Sequence, residues 1–123
     1  MANTLRAARD ELRLLLGTTG VRVETVVPGR VTPPVAVIEP GTPYMEQGET
    51  FDDFAVRFNV VLFAASADNL ESTDQLDQLV CDVIDAVDTW VVEGVDQPSA
   101  FDVNGSLFLG TRIALLCDKD LQT

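Results

Sequence analysis

A chain of 123 residues is long enough for one domain with a real core and short for two. Its 20 acidic residues outnumber its 8 basic ones, and the formal net charge of −12 argues against binding DNA, RNA or anionic membranes by charge neutralisation. Hydrophobic residues make up 46% of the chain, an excess that favours either an apolar interface between subunits or a core rich in Val, Leu and Ala.

The first predicted element is a helix over residues 4–16. Apolar residues recur there at steps of three and four, and Gly17 is placed to end the helix. Another face carries three arginines: Arg6, Arg9 and Arg13. Because the first thirty residues hold five of the eight basic residues and only three acids, this face either contacts an acidic surface of a neighbouring copy or is simply solvated.

Two short extended segments follow, at 21–27 and 35–38, where period-two patterning and flanking prolines predict strands. The next stretch, 39–53, combines two prolines and two glycines with three large apolar side chains, Tyr44, Met45 and Phe51. It is predicted to be a long loop or a projecting hairpin. Its apolar groups either contact a partner or fold back over the chain's own sheet.

Residues 54–65 form the clearest predicted strand. One face is apolar along its whole length, and the other becomes apolar only toward its end. We therefore expect the first face to pack on the core throughout and the second to be covered only in part. Farther along, Asn104-Gly105 between two extended runs predicts a hairpin of 101–103 with 107–117.

A long helix is predicted over residues 69–92, with Gly94 at its end. Opposite its apolar stripe lies an acidic face: Asp74, Asp77, Asp85 and Asp88. No basic residue lies among these carboxylates, so they repel one another slightly. Three interpretations stay open: a solvated face, a divalent-cation site, or a face kept negative because nucleic acid passes by it.

The residue types needed for catalysis are scarce. The chain has no histidine, no glycine-rich phosphate loop and a single lysine, Lys119, near the C-terminus. Cys81 and Cys117 lack the spacing of a metal or redox pair and are interpreted as partly buried, reduced thiols of a cytoplasmic protein. No apolar run reaches the length of a signal core or membrane span. We expect neither an enzyme nor a cofactor or metal.

Three stretches carry a resemblance to a known family. They are PVAVIEPGTPY at 34–44, FAVRFNVVLFA at 54–64 and DNLESTDQLDQLV at 68–80. Together they resemble the tail terminator proteins of long-tailed, siphovirus-type bacterial viruses, in particular those infecting actinobacteria. The likeness spans about residues 5–115, and its motifs are structural rather than chemical.

The resemblance implies a fold, partners and a place in the virion. The fold is a mixed, mainly antiparallel sheet, here of about four to five strands, with the N-terminal helix and the long amphipathic helix packed on it, in one α+β domain over residues 1–123. Tail terminators form hexameric rings that cap the tail tube, end its growth and join it to the head. The partners are sister copies, the tail-tube protein and a head-to-tail connector protein. DNA passes through without specific binding, and the protein, assembled in the host cytoplasm, ends at the head-proximal end of the tail.

The family supplies no catalytic residues or binding motif to transfer, so the site residues are hypotheses from charge and apolarity. The loop residues Tyr44, Met45 and Phe51 would contact a neighbouring subunit or the tube. The arginine face would meet acidic surface on an adjacent copy, and the aspartate face would be exposed on the lumen or outside. The alternatives are another connector (an adaptor or stopper), a monomeric acidic binding domain, and an enzyme with a metal on the aspartate face.

Overall fold

The computed structural model describes residues 4–25, 34–47, 53–66, 70–103 and 105–120. Within these ranges the chain forms two helices and six strands. Their bounds are α1 (Thr4–Gly17), β1 (Arg22–Glu24), β2 (Val35–Gln47), β3 (Asp53–Ser66), α2 (Leu70–Ala86), β4 (Val91–Val95), β5 (Ser99–Val103) and β6 (Ser106–Asp120).

The strands form one mixed sheet in the order β1-β2-β3-β6-β4, and β5 also pairs with β6. Only β1 and β2 pair in parallel; the other described pairs are antiparallel. The predicted α+β class with a mainly antiparallel sheet is therefore confirmed, although six strands exceed the expected four to five. The extra strand is β4, whose first two residues, Val91 and Val92, lie in the segment predicted as helix.

Both helices pack on one face of the sheet. The alternation of β3 places Val56, Phe58, Val60 and Leu62 on this face, where all four are fully buried. They form the main core with apolar residues of α1, α2 and β6: Ala8, Leu12, Leu16, Leu76, Val83, Ile113 and Leu115. The predicted apolar stripes of both helices and the continuous face of β3 are confirmed.

The opposite face of the sheet has a smaller core at one end. Val61 and Phe63 of β3 lie there with Val35 and Val37 of β2, and all four are buried. Phe101 of β5 packs edge-on against Phe63, with ring centroids 5.5 Å apart, and Phe108 and Val103 complete the cluster. This is the partial covering that the pattern of residues 54–65 predicts.

The long helix is shorter than predicted: α2 ends at Ala86, not at residue 92. A turn follows, in which the Val87 N–H donates to the Val83 carbonyl and the Trp90 N–H to the Val87 carbonyl. This turn places Trp90 in the core with Val83 and Val87. The three residues therefore keep the spacing of a helix, although the helix itself ends at Ala86. Gly94 lies in β4, at a register shift, and does not end the helix.

The segment predicted as a loop or projecting hairpin is largely strand. Residues 39–47 belong to β2 and pair with β3, apart from a register shift between Pro40 and Met45. β1 pairs only with residues 35–37, so the later part of β2 has one described neighbour and tolerates prolines as an edge strand does. The loop alternative is wrong for 39–47, whereas the hairpin alternative agrees with the antiparallel pairing of residues 45–47 with 54–56. Similarly, the first strand spans 22–24 within the predicted 21–27, of which 26 and 27 lie outside the described residues.

Candidate assembly surfaces

Arg9 and Tyr44 contact each other and their own core. The Arg9 Nη2 donates a hydrogen bond of 2.6 Å to the Tyr44 hydroxyl, and its guanidinium carbon lies 5.4 Å from the centroid of the buried Phe58 ring. Tyr44 packs edge-on against the same ring at 5.5 Å. Both residues therefore join α1 to β2 and β3 within one chain, where the sequence hypothesis has them contacting a neighbour.

The other residues hypothesised to contact a partner fall in different places. Met45 is half-buried against the main core, so it too folds back over the sheet. Phe51 lies outside the described residues. Arg6 and Arg13 are exposed on α1. Of the six residues, only Arg6 and Arg13 are both described by the structure and exposed.

Arg13 lines an open groove of about 830 Å³ between α1 and the edge strand β1. The residue after it, Leu14, is 76% exposed, although Leu16 is fully buried. Val21, Val23 and Asp10 also line this groove. We call Arg13, Leu14, Val21 and Val23 the Leu14 edge. It presents an apolar side chain beside a cation at one edge of the sheet.

Three of the four aspartates lie on α2, and the fourth follows the helix. Asp74, Asp77 and Asp85 are exposed on α2, whereas Asp88 is exposed in the turn that follows it. Asp77 borders a cleft beside β4, and Asp85 borders a shallow depression near Thr18 and Thr19 at the end of α1. Residues 74, 77 and 85 fall within about 80° around the axis of a helix with 3.6 residues per turn, so they keep one exposed side of α2, and only Asp88 lies beyond the end of the helix.

The cleft beside β4 lies at the opposite edge of the sheet from β1. It measures about 390 Å³ and lies between α2 and the chain that joins β4 to β5. Its lining includes Asp77, Val80, Cys81, Val95, Asp96 and Pro98, which we call the Cys81 cleft. Val95 is 41% exposed, and nearby on α2 Ile84 is 38% exposed. The Cys81 thiol is exposed and free, where the sequence interpretation has it partly buried.

Two strand arginines, Arg57 and Arg112, form ion pairs on the face of the sheet away from the helices. Arg57 of β3 bonds through Nη1 to Glu46 of β2 and through Nε to Glu93 of β4, at 2.5 and 3.0 Å. The hydrogen bond to Glu46 is the main cause that raises the pKa of Arg57 above its ordinary value, and burial partly opposes it. In the sequence, the only indication of these ion pairs is a single arginine inside a predicted strand. Its partners depend on the strand register, which the sequence alone does not give.

Arg112 of β6 makes the equivalent contacts farther along the sheet. Its Nε lies 2.6 Å from Oε1 of Glu39, and its Nη1 lies 3.9 Å from Oδ2 of Asp96. Its guanidinium also lies 5.9 Å from the centroid of the Phe101 ring. These contacts join strands of one chain, so this face is stabilised internally by charge.

The described part of the chain contains neither a metal-binding group nor a membrane-spanning helix. Among those residues, no three His, Cys, Asp or Glu side chains are placed to hold a metal ion. Neither α1 nor α2 is long and apolar enough to cross a membrane. Comparison of the sequence with models of protein families gives no match, and comparison with curated proteins gives none either.

Proposed function

We propose that this protein is a tail terminator: a structural virion protein whose copies form a ring that caps the tail tube, ends its growth and joins the tail to the head. The resemblance of residues 34–44, 54–64 and 68–80 to that family is the starting point. The mixed sheet with both helices on one face agrees with the fold that the resemblance implies.

The observation that carries the proposal is an apolar surface at each of two opposite edges of the sheet. Leu14 lies beside β1 at one edge of the sheet, and Val95 lies in β4 at the other. Grouped apolar side chains at a surface mark a contact site, and here Leu14 adjoins Val21 and Val23, while Val95 adjoins Val80 and Pro98. A subunit with one contact surface at each of two opposite edges assembles into a closed ring or an open chain, not into a simple dimer.

The charge of the chain suits a ring through which DNA moves. α2 carries five acidic residues and no basic residue, so a copy that turned this helix toward the hole would repel the phosphate backbone. In the ring we propose, DNA passes without specific contacts, and the contacts between subunits are between different surfaces of identical chains.

Tube growth tests the proposal. Tail-tube protein is polymerised with and without this protein, and tube lengths are measured by electron microscopy. We expect that added protein stops elongation. We also expect that virus particles assembled without it show overlong tubes that are not attached to heads. Tubes of normal length on such particles would instead identify an adaptor or stopper on the head side. Tubes whose length ignores the protein in both settings would refute the terminator role.

A further inference from the structure

We propose that neighbouring copies join head to tail, with the Leu14 edge of one copy seated in the Cys81 cleft of the next. The inference rests on the proposed function, because it assigns the two surfaces that the ring would use. It commits to one occupant for each surface, a second copy of this chain.

The two surfaces lie where a head-to-tail contact needs them. β1 and β4 are the two ends of the strand order, so the Leu14 edge and the Cys81 cleft lie at opposite edges of one sheet. When one copy uses its first surface against the second surface of another, both copies keep one surface unused. Addition then continues until the arrangement closes on itself.

The apolar parts of the surfaces match. Leu14 projects from α1 into solvent, while its neighbours Leu15 and Leu16 turn toward the core. The Cys81 cleft offers Val80, Val95 and Pro98 around a volume of about 390 Å³, which is in the range that accommodates a small organic ligand. One leucine side chain seated there would cover apolar groups of both copies.

The charges also match. From α1 through β1 the chain carries four arginines against three acidic residues, whereas α2 carries five acidic residues and no basic one. Arg13 flanks Leu14, and Asp77 and Asp96 flank the cleft. Asp10 also lies near Arg13, and Arg112 lies 3.9 Å from Asp96, so the match is partial at each edge. Because the chain has a net charge of −12, most other orientations of two neighbouring copies bring acidic surface against acidic surface. The contact between the Leu14 edge and the Cys81 cleft is favoured by comparison.

The native Cys81 thiol makes the contact directly testable. In a Cys117→Ser background, Leu14→Cys places a second exposed thiol where it would meet Cys81 of the next copy. Mild oxidation, or a short bismaleimide linker, is applied over a range of protein concentrations, alone and on tail tubes. We expect a ladder of covalent dimers, trimers and larger species, because each copy contributes one thiol to each of two contacts. A ladder that stops at the dimer would contradict a head-to-tail arrangement.

Two control variants isolate the pair of surfaces. Adding Cys81→Ser to the Leu14→Cys chain is expected to abolish every species above the dimer. Leu107→Cys, at another exposed leucine outside both surfaces, is expected to give no ladder with Cys81. A ladder of equal yield from Leu107→Cys would show random collision and overturn the proposal.

Charge reversal gives an independent readout. Arg13→Glu and Asp77→Arg are each expected to weaken self-association by roughly tenfold, the size of one exposed ion pair replaced by repulsion. An equimolar mixture of the two variants is expected to regain assembly, because every contact in an alternating ring is again complementary. No loss with either variant would contradict the assigned pair.

The outcomes separate this inference from the proposed function. Rings, or capped tubes, without any Leu14–Cys81 cross-link would overturn the assigned contact and leave the terminator role in place. A cross-linked ladder together with uncapped tubes would support the contact and refute the terminator role. Neither cross-links nor capped tubes would refute both.

Discussion

Arg9 and Arg13 lie one turn apart on α1, yet their surroundings differ. Arg9 bonds to the Tyr44 hydroxyl and lies over the Phe58 ring. Arg13 is exposed beside Leu14. One arginine therefore stabilises the chain that carries it, while the other is available to a partner.

We predict different effects of removing the two arginines. Arg9→Ala should lower the free energy of unfolding by about 1–2 kcal/mol, because it removes a hydrogen bond and a cation–π contact. Arg13→Ala should stay within about 0.5 kcal/mol of the parent chain. Urea unfolding followed by the fluorescence of Trp90, the single tryptophan, measures both. Equal losses from the two variants would contradict the separate roles.

Gly41 tests how closely β2 and β3 approach each other. A Cβ at this position would lie 2.6 Å from Cβ of Arg57 and 2.9 Å from its carbonyl carbon. Because backbone atoms cannot move aside cheaply, Gly41→Ala should cost about 1–3 kcal/mol of unfolding free energy. Gly94→Ala in β4 is the control, since a Cβ there meets nothing within 4 Å. Similar denaturation midpoints for the two variants would refute this packing argument.

At the scale of elements, Arg57 joins three strands by pairing with Glu46 of β2 and Glu93 of β4. We predict that Arg57→Met speeds amide hydrogen exchange in β4 and in residues 44–47, while α1 keeps its protection. Arg112→Met is the matched control, whose effect should centre on Glu39 and Asp96. Faster exchange across the whole chain would show global destabilisation instead.

The pH dependence of this effect follows from the direction of the Arg57 pKa shift. Because the folded-state pKa is raised, the stabilisation is fully present below the ordinary pKa of arginine and is lost only in strong alkali. The difference in protection between the parent chain and Arg57→Met, each measured against exchange from the unfolded chain, should therefore be the same at about pH 7 and about pH 9. A difference that shrinks at the higher pH would contradict it.

Local patterns predict some elements of this chain well. The helix at 4–16, the strand at 54–65 and the hairpin around Asn104-Gly105 all follow from periodicity and turn chemistry, which neighbouring residues determine. The boundary between α2 and β4 does not follow from local patterns, because Val87 and Trp90 keep helical spacing through a turn. The extent of β2 does not either, because its prolines are tolerated only where no second strand pairs beside them.

The candidate surfaces were harder to predict than the fold. The exposed position of Arg13 follows from the arginine spacing on α1, but Leu14 is hidden in a run of three leucines of which only one is strongly exposed. The Cys81 cleft and the Arg57 ion pairs join residues that are distant in sequence. Such sites depend on strand register and helix length, which single-sequence patterns do not determine.

At the scale of the whole molecule, the net charge of −12 opposes both folding and association. Raising the ionic strength from about 0.01 M to about 0.15 M shortens the screening length from about 30 Å to about 8 Å. We predict that the Tm of dilute, monomeric protein rises over this range, whereas a neutral osmolyte at equal osmolality gives a smaller rise. A Tm that falls with salt would show that the native ion pairs outweigh the repulsion.

Cryo-electron microscopy of tail tubes assembled with this protein tests the central claim most directly. We expect a closed ring of copies at one end of each tube, with α1 of each copy against the β4 edge of the next. Tubes with bare ends, and protein that stays monomeric in the same sample, would contradict the account.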